Sequence, residues 1–69
     1  MPLSMANPGE LRYIKRIGGN NETRHFLESL GFVVGEMVKV ITVLGGNLIV
    51  QVKESRVAIS NSMANKIFV

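Results

Sequence analysis

The stretch LESLGFVVGEMVKV, from Leu27 to Val40, decides the fold of this chain. Leu27 and Leu30 lie three apart, as on one face of a helix. Gly31 follows at once, where a helix most often needs a residue that tolerates the left-handed conformation. Phe32-Val33-Val34 leads to Gly35, and a β-rich run begins at Glu36. A helix that ends so abruptly against a strand predicts one compact domain in which a short helix plugs a sheet.

The same contrast extends outward. The spacing predicts a helix over about Glu22 to Leu30, with Asn20 or Asn21 as its N-cap and Glu22 in the first turn, where a negative charge is favoured. Phe26, Leu27 and Leu30 form its apolar stripe. About nine residues do not hold a helix in water, so it must pack on something. Met37 to Leu44 is dense in Val, Ile and Thr and reads as a strand. Gly45-Gly46-Asn47 is a hairpin turn. Leu48 to Lys53 returns, with Leu48, Val50 and Val52 on one face. Glu54-Ser55 turns again into Arg56 to Ser60, and a helical turn over Asn61 to Asn65, opened by Ser60 or Ser62, buries Ala64. Lys66 to Val69 closes as a strand. Upstream, Pro8-Gly9 marks a turn, and Glu10 to Ile17 forms a first strand with Leu11 and Tyr13 on one side and Ile14 on the other. Met1 to Asn7 reads as a loose or edge-pairing arm, with Leu3 and Met5 available to tuck inward.

Five short strands, one helix after the first and a helical turn before the last are too few for a sandwich. A small sheet curled on itself, an SH3-like β-barrel, leaves the fewest edges. The 69 residues make a single domain, 1–69, with a small core and modest stability.

Composition narrows the function. There is no cysteine, which excludes disulfides and thiolate metal sites and fits a reducing cytoplasm. Met1 to Glu10 does not resemble a signal peptide. The longest nearly apolar run, Val38 to Val52, is too interrupted to span a bilayer. Eight basic against five acidic residues give a net charge of +3, which permits an acidic partner without demanding one.

Catalytic constellations are missing. The carboxylates Glu10, Glu22, Glu28, Glu36 and Glu54 are scattered over turns and element ends, and no serine has an elbow motif or a base. His25 is the lone histidine; with Glu28 three residues on it offers at most a two-ligand surface site. Neither Gly18-Gly19 nor Gly45-Gly46 is followed by the Lys-Ser/Thr pair of a phosphate loop. Arg12, Lys15 and Arg16 cluster on the first strand, and with Lys39 they offer the alternative of a small basic nucleic-acid-binding β-barrel, though only Tyr13 is a candidate stacking platform. The chain therefore reads as a non-enzymatic interaction module without a cofactor.

The glycines and aliphatics form an ordered set: Pro8-Gly9-Glu10, Ile17-Gly18-Gly19, then Arg24…Phe26-Leu27…Leu30-Gly31-Phe32…Gly35. It continues with Val38…Val40, Gly45-Gly46 with Leu48-Ile49-Val50, Val57-Ala58-Ile59, and Ala64…Ile67…Val69. This set resembles the FeoA family, small cytoplasmic ferrous iron transport proteins. The resemblance covers nearly the whole chain. Val34, Gly46-Asn47 and Ser60 stand where the family often has proline, proline and arginine. The resemblance implies an SH3-like barrel. It also implies an accessory role, binding or modulating the cytosolic part of FeoB, a membrane ferrous-iron transporter with a GTP-hydrolysing domain. The expected contact surface is the helix and its exit: Arg24, His25, Phe26 and Leu27, with Phe32 and Val33. The expected assembly is a monomer or weak homo-oligomer, without membrane insertion.

Overall fold

Asn20 starts the helix and Gly31 stops it. The Asn20 side-chain oxygen accepts from the Thr23 amide at 2.8 Å, which satisfies one of the free donors of the first turn. The helix, α1, then runs Asn21–Ser29. Its end is a Schellman motif. The Gly31 amide donates to the Glu28 carbonyl at 2.9 Å, and the Phe32 amide donates to the Leu27 carbonyl at 3.0 Å. This closure requires the left-handed conformation at Gly31, where φ is +106°. It also sets the side chains of Leu27 and Phe32 together in the core, both at 0% exposure.

The computed structural model describes all 69 residues. A 3-10 turn at Leu3–Met5 precedes β1 (Leu11–Tyr13) and β2 (Arg16–Ile17); after α1 come β3 (Met37–Leu44), β4 (Asn47–Val52), β5 (Ser55–Ser60), α2 (Asn61–Ala64) and β6 (Ile67–Phe68). All pairings are antiparallel. One sheet has the order β1-β3-β4-β5, and the other pairs β2 with β6. The two sheets share a single apolar core that includes Ile14, Leu27, Phe32, Val38, Val40, Val50 and Ile67. No ladder joins them all the way round, so the barrel is open rather than closed.

The first strand departs from expectation. Glu10 to Ile17 reads as one strand, but the chain changes sheets in the middle of it. The Ile14 amide donates to the Glu36 carbonyl at 2.9 Å, and the next amide, Lys15, donates to the Phe68 carbonyl at 2.7 Å. Ile14 sits buried at this corner while Leu11 and Tyr13 stay exposed on the outer face of the larger sheet. The strand count is therefore six, against an expected five or so.

The central meander follows its pattern. Val38 pairs with Val52 and Val40 with Val50, all four buried. Beyond them the register steps from Val40 to Thr42 against Val50 to Ile49, leaving Ile41 as a bulge that bends the sheet. The β3–β4 turn has Gly45 at φ +60° and no positive φ at Gly46, the pattern of a type II′ turn. Ser60 caps α2 by accepting from the Met63 amide at 3.1 Å.

The N-terminal arm is an edge-pairing element. The Met1 amine donates to the Val69 carbonyl at 2.9 Å, and the Val69 amide donates back to the Met1 carbonyl at 2.8 Å. Pro2 bridges Phe68. Leu3 is buried, as the sequence allows, but Met5 is exposed because the 3-10 turn carries it to the other side.

Gly35 and Gly46 separate backbone conformation from crowding. A Cβ at either position meets nothing within 4 Å, but Gly35 has φ +90°. Gly35→Ala is expected to cost about 1–2 kcal/mol from strain alone. Gly46→Ala is expected to fall between neutral and about 1 kcal/mol stabilising. Urea unfolding of the two variants checks the contrast.

Candidate interaction surface

Four consecutive helical residues cannot share one face, because each step turns about 100° around the axis. Arg24, His25, Phe26 and Leu27 are accordingly dealt to four sides of α1. Leu27 points into the core. Arg24 and Phe26, roughly 200° apart, fall on opposite flanks. His25 is exposed on the outer side. Phe26 is 49% exposed, although its place in the apolar stripe predicts a packed side chain.

The expected contact surface therefore needs correction at two positions. Leu27 and Phe32 have no exposed surface and cannot touch a partner. The backbone closure at Gly31 turns both into the shared apolar core, where they hold the helix to the sheet instead. Arg24, His25 and Phe26 remain exposed, and Val33 remains half-buried. Val34, the residue after it, is 65% exposed.

The Arg24 flank opens onto a cleft of about 400 Å³. Its walls are Lys15, Arg16 and Ile17 from the end of the first strand, Arg24 and Glu28 from α1, and Val33 and Val34 from the helix exit. Three distant segments meet there because of the backbone around Ile14. The corner at Ile14–Lys15 carries β2 across to β6, and the Gly35 amide donates to the Ile14 carbonyl at 2.8 Å, drawing the helix exit against the same corner. Arg16 lies over the Phe68 ring, with its guanidinium carbon 4.1 Å from the centroid. Gly18 makes room for this arrangement: a Cβ there would come to 3.3 Å from the Phe68 ring and 3.8 Å from the Arg16 guanidinium.

Lys15, Arg16, Ile17, Glu28 and Val34 were not among the residues expected at the contact surface. Arg24 and Glu28 are four apart, so one helix face could have been read from spacing. Lys15 and Arg16 could not, because only the change of sheet brings them to α1.

The cations proposed for a nucleic-acid face do not converge. Arg12 is paired with Glu10 at 3.0 Å. Lys39 stands opposite Leu11 in the larger sheet, away from the Lys15–Arg16 cleft. Tyr13, the one stacking candidate, pairs with Met37 on the outer face. No three of the His and Glu side chains come together as a metal-binding group. No helix is long and apolar enough to cross a membrane.

A family model described as the FeoA domain matches residues 1–69. The chain belongs to the FeoA family. A Methanocaldococcus jannaschii protein named, provisionally, Fe(2+) transport protein A is 35% identical over 68 residues, covering 99% of this chain and 83% of that one. The crystal structure of an iron uptake regulatory protein, FeoA, superposes with a TM-score of 0.90 at 28% identity, covering 97% of this chain and 91% of the other. FeoA of Stenotrophomonas maltophilia, solved with zinc and described as a procaryotic SH3 domain protein, superposes at 0.84 with 30% identity, covering 99% and 87%. The fold of this FeoA-family chain is thus SH3-like, as its open six-stranded arrangement indicates.

Core and surface members of the expected patch should separate in unfolding experiments. Leu27→Ala is expected to cost about 2–5 kcal/mol and Phe32→Ala about 3–5 kcal/mol. Phe26→Ala and Val34→Ala are expected to stay within about 0.5 kcal/mol of the parent protein. Guanidinium titrations followed by far-UV circular dichroism distinguish the two pairs.

Proposed function

We propose that this protein is a cytoplasmic accessory factor of ferrous iron transport that binds the cytosolic part of a FeoB-type membrane transporter. The observation that carries the reading is family membership across the whole chain, since the domain matches residues 1–69. The names of its relatives support it: one is a provisional Fe(2+) transport protein A, and another is described as a candidate ferrous iron transport activating factor. The scattered carboxylates and the single histidine suit a binding role better than a catalytic one.

The proposed contact surface is the exposed side of α1 with its exit: Arg24, His25, Phe26, Val33 and Val34. Phe26 leaves an aromatic ring in water on one flank of α1, and Val34 leaves an aliphatic side chain in water beside Arg24 on the other. A few aromatic and arginine anchors carry most of the energy of a transient interface, and a partner that wraps α1 meets one on each flank, Phe26 and Arg24. The nucleic-acid alternative is weaker, because its cations are split between faces.

Surface plasmon resonance against the purified cytosolic FeoB domain tests the reading. The parent protein is expected to bind at micromolar concentration, and Phe26→Ala to weaken binding by about fivefold or more. No binding at high micromolar concentration by folded protein would count against the proposal.

A further inference from the structure

The cleft beside α1 carries a charge imbalance. Lys15, Arg16 and Arg24 line it, and Glu28 is its one carboxylate. The protein's single ion pair lies elsewhere, between Arg12 and Glu10. None of the three cleft cations therefore has a carboxylate at ion-pair distance. Arg16 is oriented in advance by its stacking on Phe68, so less freedom is lost when it meets a ligand. The rest of the wall is apolar: Ile17, Val33 and Val34.

Such a cleft calls for a ligand that is both anionic and aliphatic. A guanidinium presents a planar fork that matches a carboxylate, and two arginines line this one small space. A volume of about 400 Å³ takes one or two side chains with a short length of backbone. A nucleic acid suits it poorly. The cleft offers no aromatic platform for a base, because its lining holds no aromatic residue and Arg16 covers a face of the nearby Phe68. Glu28 would oppose a run of phosphates, and the aliphatic part of the wall would go unused.

We propose that this cleft docks an acidic, extended peptide segment of the partner protein, one that offers a carboxylate to Arg16 and Arg24 and lays an aliphatic side chain on Val33 and Val34. The inference rests on the reading that the protein acts by binding a partner at this side of α1, and it names the chemistry of the segment bound.

The test is a nuclear magnetic resonance titration of the full chain with a blocked hexapeptide alternating leucine and glutamate, beside its leucine–glutamine counterpart. Shift changes are expected to concentrate on Lys15–Ile17, Arg24, Glu28, Val33 and Val34. Affinity for the glutamate peptide should fall about fivefold or more between low and high salt, as screening weakens the attraction. The double variant Lys15→Glu/Arg24→Glu, at two surface positions, should lose binding while its spectrum stays dispersed. Glu28→Gln should tighten binding by about two- to threefold, as removal of a like charge predicts. Equal binding of the glutamine peptide, shifts centred elsewhere, no binding at millimolar peptide, or displacement of the peptide by oligo-uridine at far lower concentration would each overturn the inference. Binding of the cytosolic FeoB domain separates the two levels. If the double variant binds that domain as the parent does, the cleft inference fails and the accessory reading stands. If the acidic peptide binds at the cleft but the domain does not, the cleft inference stands and the FeoB reading fails.

Discussion

The stop at Gly31 organises this molecule. A helix of nine residues has no independent stability in water, so its place must be set by the chain that leaves it. The Schellman closure supplies that constraint. Two backbone bonds, from Gly31 to Glu28 and from Phe32 to Leu27, reverse the chain within one turn. They set Leu27 and Phe32 side by side, and both vanish into the core shared with β3 and β4. A side chain at Gly31 would have to adopt φ near +106° and would lie against Val52 at 3.5 Å. One residue thus couples helix termination, chain reversal and helix–sheet packing. The elements after it inherit their direction from that reversal.

A second constraint acts at the corner formed by Ile14 and Lys15. Consecutive amides there bond to different sheets, one to Glu36 and one to Phe68. The strand cannot continue straight, so Ile14 turns into the core and β2 leaves to pair with β6. The Met1–Val69 clasp and the Pro2–Phe68 bridge extend the same small sheet at its far edge. This arrangement fits a core of 14 buried residues, all apolar, which leaves no interior room for a polar site. Function has to lie on the surface of such a protein, and chiefly where elements from the two sheets meet the helix.

The cleft at that meeting point combines residues that look commonplace one by one. Lys15 and Arg16 look like a solvated strand end, Arg24 and Glu28 like a plain helix flank, and Val33-Val34 like a loop. Brought together, they make a positive space with an aliphatic wall, and the charges in it are unpaired. The Phe26 flank on the other side of α1 offers a different chemistry, an aromatic ring in water. Because the two flanks lie on opposite sides of one helix, a partner can wrap α1 or choose a side. Substitutions at Arg24 and at Phe26 therefore report on separable contacts.

Local chemistry determined much of this protein before any fold was known. The Asn20 cap, the Gly31 stop, the Gly45-Gly46 turn, the alternation of Leu48, Val50 and Val52 and the Ser60 cap all act over a few residues, so their consequences are readable in order along the chain. The ordered set of these signals also carried the FeoA resemblance. Tertiary structure decided the rest, because those features depend on residues distant in sequence. Nothing near Ile14 announces that Glu36 and Phe68 will take its neighbouring amides. Phe26 escapes its stripe, since an apolar residue on the stripe's edge is buried only if the sheet reaches far enough to cover it. Leu27 and Phe32 stood among the expected contact residues although backbone closure commits them to the core. The cleft was illegible for the same reason: its three segments share no local signal, and only the change of sheet and the reversal at Gly31 bring them to one place.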